Sequence, residues 1–498
     1  AISEKYYACD VEINGETISN VGIRTKGNTS LSSIANDPDT DRYSFKIKFD
    51  KYVDGQTCMG LDKLVLNNNF ADATNRKEAL VYDMFQYLGA DASLYNYAKI
   101  SVNGEYWGTY LALEAVEDSF KLRNYGVSDG KLYKPETMGM GNDQKEEFPD
   151  PPDDMDFSDL PSPPEQGEGI NSDMSDRNVD TDADTNADSN TNTFDSSEGD
   201  LAKDNNPMDR PERPQGDFDK ADMDEKFKNP QGGHDDFGGF GNRNGGADPN
   251  YTDDDADSYS TIWDGADGKV TDSDKERVVT AIKNINEGTD LTTYLDVDNI
   301  LKYMAVHEFV VNLDSLSGNM AHNYYLYEND GQLNIIPWDY NLSFGGMTNG
   351  GMGGGPGRES TESSGATSMI NDPIDTPFDG TDFFDALLEN EEYLAQYHEY
   401  LRQLAEEYVQ GGRLQEVWER LDAQTDELIE TDPTAFYTAA EYEEAKDTLW
   451  TVLQLRAESV LGQLDGTIPS TDDGQRNAQD TLIDGSAIDL SVMGEFNH

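Results

Sequence analysis

The chain has 498 residues and carries 36 Lys and Arg against 100 Asp and Glu, which gives a formal net charge of −64. This charge argues against a protein that binds nucleic acid or anionic membrane surfaces, because both kinds of binding need clustered Lys and Arg. Two cysteines, Cys9 and Cys58, exclude a disulfide-dense scaffold and a cysteine-rich zinc site, and the sequence leaves open whether they are bonded. No apolar run reaches the length of a membrane span.

Residues 1–136 are predicted to form an α+β region. An apolar run over residues 6–13 and period-two alternation over residues 43–49 predict strands. Apolar residues at helical spacing over residues 74–88 predict an amphipathic helix, and Gly89 is a typical residue at which such a helix ends.

One acidic residue of this helix, Glu78, falls on its apolar stripe. It is spaced with Val81 and Leu88 so that its carboxylate is predicted to point toward the interior. A buried carboxylate is costly unless a cation pairs with it. Lys46 and Lys48 share one face of the nearby strand, so either lysine is a candidate partner.

Residues 137–260 differ in composition from the rest of the chain. They contain 34 Asp and Glu against 9 Lys and Arg, a net charge of 9 − 34 = −25, with few aliphatic residues. Such a segment cannot bury enough apolar surface to offset the entropy that it would lose on folding. Residues 137–257 are therefore predicted to be a mostly disordered acidic insert.

Helical patterns dominate the rest of the chain, which is predicted to form a region over residues 258–465. Ser273 and Glu276 have the spacing of a capping box, which predicts a helix start there. Residues 382–464 are predicted to be helical, and residues 466–498, which are mostly polar, are predicted to form a flexible tail.

A predicted β-hairpin gathers polar side chains at one end. The apolar and aromatic runs 324–327 and 333–338 are joined by Glu-Asn-Asp-Gly, a strong hairpin signal. Asp314 and Asn323 precede the first run and Asp339 follows the second, so the hairpin is expected to bring them together. Protein kinases use this order, with one Asp for the substrate hydroxyl and an Asn and a second Asp for Mg²⁺.

The chain resembles the CotH kinase family, atypical protein kinases of the spore-coat type, over most of residues 6–464. The resemblance implies an α+β, two-lobed kinase-like fold that binds ATP with Mg²⁺ or Mn²⁺ and transfers phosphate to Ser or Thr of a protein. The segments that carry it are GIRTKGNTS (22–30), YSFKIKFD (43–50), NGEYWGTYLALEAVEDSF (103–120), KLYKP (131–135), HNYYLY (322–327) and PWDYNLSFG (337–345).

The resemblance also implies roles for individual residues. Asp314 would be the catalytic Asp, and Asp339 and Asn323 would bind the metal, with Asn319 as a weaker rival for the second ligand. Lys48, held by Glu78, would be the catalytic lysine, with Lys46 as the alternative. The residues expected to contact the nucleotide are Lys26, Gly27, Asn28, Lys46, Lys48, Glu114 and Val116.

Two departures from ordinary protein kinases leave a second interpretation open. The chain has no G-x-G-x-x-G loop, and Asn312 and Leu313 replace the usual His-Arg before the catalytic Asp. An Asp that follows a strand is also common in turns. The alternative is a cell-surface adhesin or scaffold that keeps the fold without catalysis.

Position and composition suggest where the kinase would act. Residues 359–368 are rich in Ser and Thr and follow the metal-binding Asp, so they are an expected site of self-phosphorylation. The resemblance implies a bacterial protein that is extracellular, on the cell surface or in the spore coat. The sequence does not specify the oligomeric state.

Overall fold

A computed structural model describes residues 5–27, 29–135, 248–318, 321–347, 365–376, 378 and 381–494. The described residues all belong to one compact unit. Most of the predicted insert, Asn28, Asn319 and most of the predicted self-phosphorylation loop lie outside the described residues.

The larger sheet has six antiparallel strands in the order β1-β2-β3-β4-β6-β5. Apolar side chains cover both of its faces, one packed on the main core and the other on a smaller cluster around Val21, Phe49 and Tyr110. The strands are β1 (Tyr7–Ile13), β2 (Glu16–Lys26), β3 (Ser44–Lys48), β4 (Lys63–Asn67), β5 (Tyr95–Val102) and β6 (Glu105–Glu114).

A second sheet contains the predicted hairpin. Its antiparallel strands are β7 (Lys131–Tyr133), β8 (Tyr324–Asn329) and β9 (Gln332–Pro337), in that order. Asp330 and Gly331 join the last two strands with φ values of 51° and 88°, and a two-residue turn with two positive φ values is the type that Asp-Gly favours. Strand β7 lies before the acidic insert in the chain and β8 lies after it, so this sheet joins chain segments from both sides of the insert.

The helices come mainly after the insert. They are α1 (Thr29–Asn36), α2 (Lys77–Leu88), α3 (Asp118–Tyr125), α4 (Ser260–Asp264), α5 (Asp272–Asn286), α6 (Leu291–Tyr294), α7 (Val297–Val310), α8 (Gly365–Ile370), α9 (Asp385–Leu388), α10 (Glu391–Arg402), α11 (Arg413–Glu430), α12 (Ala439–Leu464) and α13 (Asp472–Asn477). A π-helical segment, Gln403–Gln410, follows α10. None of the helices that the structure describes is long and apolar enough to cross a membrane.

Three local predictions differ from the structure. The capping box of α5 is formed by Thr271 and Asp274, so the predicted Ser273–Glu276 pair is wrong. Residues 248–257, the last part of the segment predicted to be mostly disordered, are folded. The Tyr259 hydroxyl accepts a hydrogen bond from the Thr252 N–H, and Lys283 pairs with Asp254 at 2.8 Å.

The third difference concerns the C-terminal residues. Residues 466–494 are folded rather than loose, and they include α13 and a 3₁₀ turn, Leu490–Met493. Leu490 and Met493 are buried, and the Met493 carbonyl accepts a hydrogen bond from the Ala73 N–H at 3.1 Å. Buried apolar side chains and hydrogen bonds such as that from the Ile483 N–H to Asn371 Oδ1 anchor a segment whose average composition is polar.

Helix α11 holds α2 in place through charged groups. Arg76, directly before α2, is fully buried, and its guanidinium lies 2.5 Å from Asp422 and 3.0 Å from Asp426 on α11. In the middle of α2, the buried Asp83 carboxylate accepts hydrogen bonds from Arg413 and Arg420 of α11. These contacts fix the position and rotation of α2, which carries Glu78.

Candidate functional site

Glu78 lies at the centre of the site and is 2% exposed, as the helical pattern predicted for an inward carboxylate. The Asn67 amide donates to Glu78 Oε2 at 2.7 Å, and Lys26 Nζ donates to Asn67 Oδ1 at 2.7 Å. Burial and then the charge of Asp339 raise the pKa of Glu78 to about 7, while Lys26, Asn67 and the Tyr340 backbone lower it. A carboxylate that is this deeply buried beside a second carboxylate needs a positive partner to stay ionised.

Asp314 lies in the loop after α7 and is held from two sides. The Asn323 amide donates to the Asp314 carbonyl at 2.7 Å and to its Oδ2 at 3.0 Å, and His322 Nε2 lies 3.3 Å from Oδ1. Burial raises the pKa of Asp314, and the charge of Asp339 adds to this effect, whereas His322 and Asn323 oppose it. The predicted grouping of Asp314 and Asn323 is therefore a direct contact.

Asp339 follows β9 in a left-handed backbone conformation, with φ of 61°. Asp and Asn tolerate this conformation better than most other residues. The charge of Asp339 raises the pKa of both Glu78 and Asp314, so the three carboxylates lie close enough to interact electrostatically. Within the described part of the chain the Asp339 carboxylate makes no hydrogen bond or ion pair, which leaves both oxygens for a ligand.

A group of cations lies on the face of the larger sheet that carries Asn67. The register pairs Arg24 with Lys46 and Lys48 with Lys63, so these side chains share that face. Burial and then the charges of four cations lower the pKa of Lys46 to about 7, and these cations are Lys134, Arg24, Lys63 and Lys26. Lys46 Nζ has no hydrogen bond or ion pair to any residue that the structure describes. An amine held among cations in this way is a ready partner for an anionic ligand.

The predicted Lys48–Glu78 ion pair is not among the contacts of the described residues. Lys48 Nζ lies 3.7 Å from Asp50 instead. Burial alone would lower the pKa of Lys48, but nearby acids, Asp50 first, raise it. Glu78 is connected through Asn67 to Lys26, at the end of the neighbouring strand β2.

The remaining predicted residues occupy different positions around the sheet. Gly27 has a φ of 113°, and a Cβ there would lie 2.7 Å from Ser30 Oγ, so the turn after β2 requires glycine. The Glu114 side chain pairs with Arg123 and accepts a hydrogen bond from the Leu94 N–H. It lies on the sheet face opposite Asn67. Val116 is 2% exposed and packs in the main core. Any contact of these last two with a nucleotide would therefore use backbone atoms.

Three residues of the site were not identified from the sequence, namely Asn67, His307 and His322. His307, on α7, joins the two segments that carry the aspartates, because Nδ1 lies 3.0 Å from the Tyr340 hydroxyl and Nε2 lies 2.7 Å from Ser317 Oγ. No spacing rule singles out these residues, because each is a single polar residue in a pattern that many buried positions share.

The buried imidazole of His307 makes the fold sensitive to acid. Burial lowers the pKa of His307 from 6.5 to about 3, so below pH 6.5 the unfolded chain binds a proton that the folded chain does not. We expect this one group to reduce the free energy of unfolding by about 2 kcal/mol between pH 7 and pH 5. Denaturant titrations at both pH values should show this part of the acid sensitivity lost in His307→Gln. Equal acid sensitivity of His307→Gln and the unmutated protein would contradict this role of His307.

The oxygen atoms of the site fit a magnesium-type ion. No group of three or more His, Cys, Asp or Glu side chains arranged to hold a metal ion occurs in the described residues. Mg²⁺, however, is usually held by one or two protein oxygens together with phosphates and water. The free Asp339 carboxylate and Asn323 Oδ1, whose amide nitrogen is used by Asp314, form such a partial set.

Carboxylates beside a group of cations, of which Lys46 has no acidic partner among the described residues, are the arrangement with which phosphotransferases bind a nucleotide and its metal. The family described as CotH kinase protein matches residues 23–198 and 219–460. The chain therefore belongs to the CotH kinase family, which makes it a kinase-type enzyme and implies the use of ATP. A search of the curated proteins finds no match to the chain. The mixed α/β structure agrees with the predicted α+β class.

Proposed function

We propose that the protein is a protein Ser/Thr kinase that depends on Mg²⁺ or Mn²⁺ and has a two-lobed, kinase-like architecture. The observation that carries this proposal is the meeting of Asp314, Asn323 and Asp339 at one end of the β8–β9 hairpin, opposite Glu78. Their order along the chain is that of the catalytic Asp, the metal-binding Asn and the metal-binding Asp of protein kinases.

Asp314 is the residue that acts on the substrate. Its carboxylate orients a Ser or Thr hydroxyl and accepts the hydroxyl proton as the oxygen bonds to the γ-phosphorus, and ADP leaves with the bridging oxygen. His322 and Asn323 fix the orientation of this carboxylate at 3.3 Å and 3.0 Å. Asp314 is mostly buried, which restricts the reaction to a hydroxyl that enters the site and excludes bulk water.

The cations bind the phosphates of ATP. Lys46 is better placed for this role than Lys48, because it has no acidic partner in the described residues while Lys48 pairs with Asp50. Lys26, between Asn67 and the Trp338 ring, approaches from the side of Asp339. Asp339 and Asn323 would hold the divalent ion, which supplies positive charge at the β- and γ-phosphate oxygens.

The substrate is a protein hydroxyl, and the enzyme's own Ser/Thr-rich residues 359–368 are one candidate. A bacterial cell surface, extracellular space or spore coat is the proposed location. The test is transfer of γ-labelled phosphate from ATP, with Mg²⁺ and separately with Mn²⁺, to the enzyme itself and to acidic and basic test proteins, followed by identification of the modified residues. Transfer to Ser or Thr that stops when the metal is chelated is expected. A folded protein that transfers no phosphate would favour the adhesin or scaffold interpretation.

Replacing the two strand lysines separately will distinguish their roles. Lys46→Met is expected to weaken Mg-ATP binding roughly tenfold or more, since it removes a charge-assisted contact to phosphate. Lys48→Met is the matched control, two residues along the same face, and should change affinity less than about threefold. Calorimetric titration of both variants with Mg-ATP measures this, and a larger loss in Lys48→Met would return the phosphate role to Lys48.

A further inference from the structure

Asn67, at the end of β4, stands between a cation and a carboxylate that do not touch. Its amide nitrogen donates to Glu78 Oε2 and its amide oxygen accepts from Lys26 Nζ, each at 2.7 Å, and the side chain is 8% exposed. No direct ion pair joins Lys26 to Glu78 in the described residues. An amide is the neutral group that can satisfy both partners at once, because it has a donor at one atom and an acceptor at the other.

The position of Lys26 is restricted on a second side. Its Nζ lies 5.6 Å from the centre of the Trp338 ring, and Trp338 directly precedes Asp339. The ammonium has three N–H donors, and the amide oxygen of Asn67 takes one of them. Because Asn67 is neutral, Lys26 keeps its full charge for a ligand near Asp339, which a direct carboxylate partner would partly neutralise.

We propose that Asn67 is a positioning residue that couples helix α2 to the phosphate site by holding Glu78 and Lys26 in a fixed relation. Helix α2 is anchored by Arg76 and Asp83, so Glu78 has a fixed position. Because Asn67 hydrogen-bonds to both side chains, the fixed position of Glu78 also restricts the position of Lys26, which then contacts the nucleotide phosphates in one orientation. The proposal rests on the kinase function proposed above and adds a residue to it.

A purely structural role is the alternative, in which Asn67 only satisfies the buried Glu78. That role predicts that changes at Asn67 lower the thermal midpoint, while the folded protein keeps its KM for ATP and its kcat. The positioning role predicts a raised KM for ATP in protein that is still folded at the assay temperature.

The test is a double-mutant cycle between Asn67 and Glu78, with KM for ATP, kcat and the thermal midpoint measured for each protein. Asn67→Asp keeps the side-chain shape and the contact to Lys26, but it places a second carboxylate against Glu78. We expect its KM for ATP to rise about tenfold. In Asn67→Asp combined with Glu78→Gln, the new amide at position 78 can donate to the new carboxylate at position 67. This reverses that one hydrogen bond, and Lys26 still donates to position 67.

The expected result is that the double variant has a KM for ATP lower than that of Asn67→Asp but above that of the unmutated enzyme, because the new carboxylate still partly neutralises Lys26. Strictly additive effects of the two changes, or an unchanged KM in Asn67→Asp, would overturn the positioning role. Asn96→Asp, at an exposed position of β5, controls for the added charge and should leave KM unchanged. An unmutated protein that binds no Mg-ATP would instead refute the proposed kinase function, and this outcome is seen before any variant is made.

Discussion

Asp314→Asn is expected to abolish most phosphoryl transfer while Mg-ATP affinity stays within a few-fold of the unmutated protein. The amide keeps the shape of the side chain but cannot accept the hydroxyl proton. Losses of general acid–base catalysis are on the order of 10²–10⁴-fold. ATP itself docks through the cations and the metal, and neither requires the charge of Asp314.

The structure indicates that this variant will fold. Burial raises the pKa of Asp314, so its charge is a cost to the folded state and a neutral amide should not destabilise it. Asn323 still donates to the carbonyl of residue 314. Single-turnover transfer and calorimetric binding are the two measurements, with Asp290→Asn at an exposed position as the control. Equal transfer by Asp314→Asn and the unmutated enzyme would keep the kinase but exclude Asp314 as the catalytic residue.

Asp339→Asn is expected to have the opposite profile, with Mg-ATP affinity reduced roughly 100-fold, or ~3 kcal/mol, because a metal ligand loses its charge. Asparagine is a better test than alanine here, because the φ of 61° at this position suits Asn and strains Ala. Binding of ATP without metal should change much less, because the cations that hold the phosphates remain.

Asp330→Asn is the matched control for this prediction. Asp330 lies at the other end of the same hairpin, is exposed, and also has a positive φ, of 51°. Calorimetric titrations with ATP in the presence and absence of Mg²⁺ should show a loss only in Asp339→Asn and only with metal. Undiminished Mg-ATP affinity in that variant would identify Asp339 as a turn residue.

The hairpin could be predicted because its signals are local. Apolar and aromatic runs and an Asp-Gly turn specify β8 and β9 within a short stretch of sequence, and the polar ends must then meet. The inward direction of Glu78 was also predictable, because it follows from spacing within one helix.

The partner of Glu78 could not be predicted in the same way. Lys46 and Lys48 are two residues apart in β3 and point to the same face of the sheet. The sequence does not show how far along β3 the site lies. Asn67 follows an apolar strand and begins a run of three asparagines, so only the placement of β4 opposite α2 selects it. These contacts depend on how strands and helices pack, and a single sequence carries little information about packing.

The ion pairs that join Arg76 and Asp83 to α11 also determine when the enzyme can finish folding as it is made. Asp83 leaves the ribosome long before Arg413, its partner 330 residues further along the chain. Until then the charges of Asp83 and Arg76 would lack their partners in the interior, and burying an unpaired charge is strongly unfavourable. Helix α2 therefore cannot reach its final packing until α11 has been synthesised. A nascent chain stopped before that helix should stay open to proteases and dependent on chaperones.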